Sequence, residues 1–137
     1  DGFMEPFYEH LAALRRKRRE FIVCADWNTC HQNVDLKNWR SNQKNSGFRP
    51  HERAWLDRIY DDLQWVDIFR EITDEPDHYT WWSNRGQAWA NNVGWRLDYM
   101  LVTPGLSGTG RIQSIYRDER FSDHAPLTID FAIPKPK

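Results

Sequence analysis

The spacing of apolar residues changes along this chain, and each change marks an element. Phe3, Phe7, Leu11 and Leu14 recur at three- and four-residue intervals, which puts them on one face of an opening helix. Its end carries Arg15-Arg16-Lys17-Arg18-Arg19, where cations complement the helix dipole. That run reads either as a solvated face or as a phosphate-binding patch. Phe21 to Ala25 is short and wholly apolar, which predicts a buried strand with Cys24 in the core. Residues 29–50 are polar and predict a long loop. From His51 to Leu63, Trp55, Ile59 and Leu63 share a face with Leu56 and Tyr60 beside them, a second helix. Trp65 to Phe69 predicts a short buried turn of helix leading to Glu71.

The second half favours strands. Tyr79 to Trp82 is aromatic and β-prone, and Ser83 to Gln87 is a turn signal. Trp95 to Val102 alternates, which predicts a strand with Arg96 and Asp98 on one face and Trp95, Leu97 and Tyr99 on the other. Pro104 to Gly110 is a turn, Arg111 to Tyr116 a strand and Asp118 to Phe121 a loop. Leu127, Ile129, Phe131 and Ile133 predict a closing strand, and the Pro-Lys-Pro-Lys end a frayed tail. Helices mixed with a run of antiparallel strands give the class α/β (α+β). A length of 137 residues suits a single domain with a real core.

Polar residues gather at the predicted strand ends. Asp26-Trp27-Asn28 closes the first strand; the side chains two apart either share a face or form an Asx-type turn. Arg96 and Asp98 form a mutual ion pair, or Asp98 orients another group. Asp123-His124 is a turn with a surface histidine, or a pair held rigidly at a cleft mouth. A net charge of −1 excludes any global demand for a polyanion, so a nucleic-acid role needs local patches. Two cysteines make no disulfide framework, and Cys30-His31 lacks the second pair a zinc site needs. No run is long enough to span a bilayer and no signal-peptide pattern opens the chain, so the expectation is a reduced, cytoplasmic protein with no membrane partner. The chain starts at Asp1 and enters a helix at once, which suggests a piece of a longer protein.

Taken together, Ala25-Asp26-Trp27-Asn28, Trp95-Arg96-Leu97-Asp98-Tyr99 and Ser122-Asp123-His124-Ala125-Pro126 resemble a family signature. Their order and spacing are similar to the C-terminal half of the exonuclease III / apurinic-apyrimidinic endonuclease family, within the endonuclease/exonuclease/phosphatase superfamily. The segment Asn92 to Tyr99 is its most specific piece, and the resemblance runs from Phe3 onward. It departs at Ala25, where the family usually has Gly. The family's N-terminal half, with a metal-binding glutamate and phosphate-contacting polar residues, has no counterpart. Residues 1–137 are therefore expected to be one partial domain, the C-terminal half of a four-layer α/β sandwich. One mixed or antiparallel sheet with flanking helices would have its inner face bare and prone to self-association.

The resemblance implies hydrolysis of the phosphodiester 5′ to abasic sites in double-stranded DNA, with possible 3′-to-5′ exonuclease activity at 3′ ends. By similarity Asp26 orients the attacking water and Asn28 holds that water or a phosphoryl oxygen. His124 hydrogen-bonds the phosphate, and Asp98 fixes its tautomer. Asp123 helps bind Mg²⁺ or Mn²⁺, with Asp26, Asn28 and His124 as further ligands in a two-ion version. Trp81, Trp95 and Leu97 match the pocket for a flipped abasic sugar, and Arg85, Gln87 and Trp89 the loop that enters the duplex. The fragment alone is expected to be inactive. The competing readings are a DNA-binding fragment without catalysis and a superfamily phosphoesterase acting on a phospholipid or inositol phosphate.

Overall fold

The computed structural model describes residues 2–134. In chain order the elements are α1 (Met4–Arg15), β1 (Ile22–Asp26), α2 (Trp39–Asn42), α3 (Pro50–Asp61), β2 (Val66–Asp67), α4 (Ile68–Ile72), β3 (Trp81–Trp82), β4 (Gly94–Trp95), β5 (Asp98–Val102), β6 (Gly110–Ile115) and β7 (Leu127–Phe131). All strand pairs are antiparallel, as expected. The expected single sheet is instead three ladders, β1-β5-β2, β3-β4 and β6-β7. The reason is local: β2 turns into α4 after two residues, so no strand continues the first ladder beyond it. Helix α4 packs on both β5 and β6.

The main core lies between α1, α3 and the inner face of the β1-β5 ladder. Leu11, Trp27, Trp55, Leu56, Ile59, Trp65, Tyr99 and Leu101 are buried there together. Burying side chains of this size stabilises by roughly 1.5–3 kcal/mol each, before conformational entropy is counted. The Trp55 indole also donates to the Met4 carbonyl at 2.9 Å, tying α3 to the start of α1. Pro50 opens α3 at a position where no amide is needed, and the Glu52 carboxylate reaches back to accept the N-cap Arg49 amide and the Gly47 amide of the preceding loop.

Several expectations need correction. β1 is not buried on both faces: its residues alternate, and Ile22, Cys24 and Asp26 are exposed. Cys24 is therefore a surface thiol. The loop over residues 29–50 holds a 3₁₀ turn at Asn33–Asp35, helix α2, and the buried residues Thr29, Cys30, Asp35, Leu36 and Phe48. The segment at Trp65 is a two-residue strand before its helix, because Val66 and Asp67 pair with Val102 and Leu101. Arg16 to Arg19 are exposed. The tail from Lys135 onward lies outside the described residues.

The predicted strand from Trp95 to Val102 is two strands with a corner at Arg96-Leu97. The corner breaks the two-residue alternation, so Arg96 does not share a face with Asp98. Its guanidinium stacks on the inward Tyr99 ring at 4.3 Å and meets Asp35 and Asp67 at 2.8 and 2.6 Å. No Arg96–Asp98 ion pair forms among the described residues, since Asp98 faces the opposite side with another partner.

Candidate active site

Asp26 is the last residue of β1 and Asp98 the first of β5, and the ladder pairs them directly. Cross-strand partners project to the same side, so two carboxylates face each other at the sheet's end. Opposed like charges are destabilising there unless something lies between them. His124 does: its Nδ1 is 2.8 Å from Asp98 Oδ2, and its Nε2 is 3.6 Å from Asp26 Oδ2. Of the two readings of Asp26-Trp27-Asn28 the Asx-type turn is the one that forms, and it ends the extension that would have put both side chains on one face. Oδ1 accepts the Asn28 amide at 2.9 Å while Oδ2 faces the imidazole. Asn28 takes the left-handed conformation (φ 50°) that asparagine tolerates in such turns.

The segment carrying His124 is held from both sides. Ser122 Oγ accepts the His124 amide at 2.9 Å, and the Ala125 amide donates to the Thr80 carbonyl at 2.8 Å. The Asp123 carbonyl accepts the Trp82 amide, and its carboxylate accepts the Trp81 indole N–H at 3.1 Å. Partial burial works against a charged imidazole. The Asp98 hydrogen bond and the charges of Asp98, Asp26 and Asp123 outweigh it, and the His124 pKa is raised above the usual histidine value.

Among the described residues, Asp26, Asp98 and His124 form the group whose ligand atoms could meet one cation, all within 4.8 Å of one another. Two carboxylates suit a hard divalent ion. Asp123 stands next to this group, on the Trp81 side, and Asn28 flanks Asp26 in the turn. A cavity of about 330 Å³ opens beside Asp98, lined by Cys24, Met100, Ala125 and Leu127 among others.

The residues expected to touch DNA divide into two environments. Leu97 is buried in a cluster with Cys30, Leu36 and Phe48, against which Trp39, Trp81 and Trp95 pack. Trp81 and Trp95 are half-buried and meet edge to face at 6.3 Å. Arg85 and Gln87 are exposed. Trp89 folds back onto Trp82 at 4.6 Å, and the Arg117 guanidinium lies 4.4 Å over its ring. Cys30 is no metal ligand in this arrangement: its thiol points at the Asp35 and Arg96 carbonyls, and burial pushes its pKa up. His31 pairs with Asp57.

Two polar residues that support the site went unnoticed in the sequence. Thr80 is fully buried beside Asp98, and its only signal is a hydroxyl within an aromatic run. Asp35 sits in the polar loop with no motif around it, yet accepts from Arg96 and Arg70 at 2.8 and 2.6 Å. Burial alone would raise its carboxyl, but the two guanidiniums hold it down at about 2.

The profile of the Endonuclease/Exonuclease/phosphatase family matches residues 2–124. The chain belongs to that family. Its relatives within it include the DNA repair nuclease APEX1 of Danio rerio, 38% identical over 118 residues, and an exodeoxyribonuclease of Bacillus subtilis, 38% identical over 114 residues. These alignments use 85% and 82% of the chain but 37% and 45% of the relatives. The chain thus spans less than half the length of the curated relatives it matches. Among solved structures, an AP endonuclease from Archaeoglobus fulgidus superposes with a TM-score of 0.87 at 25% identity, covering 96% of this chain and 53% of that one. AP endonuclease LMAP from Leishmania major gives 0.87 at 27% identity, with 98% and 44% covered. The family's α/β fold is therefore the fold of this chain.

Proposed function

We propose that this chain carries one half of the catalytic centre of a DNA-repair phosphodiesterase. It would cleave 5′ to abasic sites in duplex DNA to leave a 3′-hydroxyl, with 3′-to-5′ exonuclease activity as a second outcome of the same chemistry. The observation that carries this reading is His124 set between Asp98 and Asp26. Asp98 on Nδ1 leaves Nε2–H to donate to a phosphoryl oxygen, and the carboxylates around His124 raise its pKa, a shift in favour of the charged donor. Asp26, braced by the Asn28 amide, accepts a hydrogen bond from the attacking water and orients it in line with the leaving oxygen. The Asn28 carboxamide holds that water or a phosphoryl oxygen. Mg²⁺ or Mn²⁺ held by Asp26 with Asp123 or Asp98 would supply neutralisation of phosphoryl charge. Trp81 and Trp95 would border the space for a sugar without its base. Arg85 and Gln87 would contact the duplex, with Trp89 behind them.

Relatives of which this chain matches only 37% and 45% support a further part of the reading: residues 1–137 are a partial domain, and a companion segment supplies the rest of the site. The exposed Ile22 and Cys24 on the outer face of β1 fit a surface awaiting cover. The test is a duplex oligonucleotide with one abasic site, incubated with Mg²⁺ and this chain, with and without the first half of the Bacillus subtilis relative. Incision only when both are present, abolished by chelation, is the expected result. Turnover of a simple phosphate ester without incision would replace DNA as the substrate. DNA binding without incision in every combination would leave a binding fragment.

A further inference from the structure

We propose that Thr80 is the positioning residue that holds the Asp98 carboxylate at His124. The corner between β4 and β5 leaves the Leu97 and Asp98 amides outside any ladder. Both donate to one atom, Thr80 Oγ1, at 3.0 and 3.1 Å. A hydroxyl oxygen has two lone pairs, and here both are used. The Thr80 main chain grips the other partner. Its carbonyl accepts the Ala125 amide at 2.8 Å, immediately after His124, and its own amide donates to the Trp95 carbonyl at 3.0 Å.

One fully buried residue thus binds the peptide that carries Asp98 and the peptide that follows His124. The third segment joins at the same corner, where the Trp27 amide donates to the Leu97 carbonyl at 2.8 Å. Valine at this position would keep the shape and lose the acceptor. One buried and one partly buried N–H would then lack their partner and draw the corner away.

This rests on the phosphodiesterase reading only for its catalytic consequence, so the experiment begins without DNA or metal. The chain is prepared with ¹⁵N-histidine, and the His124 Nδ1–H resonance, slowed in exchange by the Asp98 bond, is followed at one fixed pH. Thr80→Ser keeps the hydroxyl and should keep the resonance. Thr80→Val should lose it to exchange while the far-ultraviolet circular dichroism stays unchanged. Should Thr80→Val fail to fold, Thr80→Ala takes its place in the same comparison. Leu106→Ala, a truncation in the separate cluster between α4 and β7, controls for general loosening and should leave the resonance in place. Retention of the resonance in a folded Thr80→Val or Thr80→Ala protein overturns the proposal, as does its loss in Leu106→Ala. In the two-part incision assay Thr80→Val should lower kcat about 10-fold or more with KM nearly constant, rescued by Thr80→Ser. No incision by wild type, with the resonance pattern as expected, would refute the substrate and leave the positioning role standing.

Discussion

Replacing Asp35 by asparagine tests the charge cluster on which the site stands. Asp35 is 1% exposed and accepts from Arg96 Nε, Arg70 Nη2 and the Gln32 and His31 amides at 2.6–3.2 Å. Arg96 is equally buried, between the Tyr99 and Phe69 rings. Asparagine keeps the shape but removes the charge, leaving Asp67 as the carboxylate facing Arg96. Breaking a buried pair on one side costs about 3–5 kcal/mol. The carboxyl held at about 2 instead of 3.8 gives a consistent lower figure, roughly 2–3 kcal/mol for protonation alone. The asparagine NH₂ turned toward a guanidinium adds to it. The assay is urea unfolding followed by tryptophan fluorescence at pH 7, with the midpoint falling at constant slope. The acid limb gives a second reading. Because the folded pKa is depressed, this stabilisation is complete above the unfolded value of 3.8 and is lost as pH falls towards 2. Asp35→Asn should therefore lack that part of the acid dependence. A loss under about 1 kcal/mol at pH 7, or an unchanged acid limb, would refute the reasoning.

Three further outcomes are expected. Asp98→Asn removes the negative charge that raises His124, so the imidazole should titrate lower by NMR. In the wild type the folded pKa is raised, so the stabilisation is complete below pH 6.5 and lost as pH rises through the folded value; Asp98→Asn should lack this loss. Gly94→Ala would place a methyl 2.6 Å from the Trp82 indole nitrogen and 2.7 Å from Tyr79 Cβ, pushing β4 off β3. A cost of about 1–3 kcal/mol or more in urea unfolding is expected, and a neutral change would contradict the packing. Finally, Ile22→Glu on the exposed face of β1 should shift size-exclusion elution of the chain towards monomer, and an elution volume equal to wild type would deny that face a role in association.

The amphipathic helices were legible because their apolar spacing is what buries them: Leu11, Trp55 and Ile59 all lie in the core. The strands were legible as extended segments but not as faces. Alternation identifies two sides, yet which side meets a neighbour depends on contacts between residues distant in sequence. Phe21 to Ala25 looked wholly buried because each residue is apolar, although one face of β1 is open. Arg96 fell on the wrong face because a strand model carries alternation through a corner set by Asp35 and Thr80, neither of which has a local signal. The polar composition of the 29–50 loop hid its buried members in the same way. The candidate site was legible only as a set: Asp26, Asp98 and His124 are each ambiguous alone, and it was the order and spacing of their three motifs that brought together residues the structure holds within 4.8 Å.

The direct pairing of Asp26 with Asp98 makes the hydrogen-bonded register of one hairpinless ladder the ruler for the acidic pair. A slip of one position would set Asp26 opposite a neighbour of Asp98 and turn one row of side chains over. The segments that must find each other are far apart along the chain; the nearby Trp27–Tyr99 contact spans 72 positions. Contacts of that range assemble slowly, after local helices. The geometry of the Asp26–Asp98–His124 group is consequently a product of finished folding: a nascent or misregistered chain can hold every helix and still lack it.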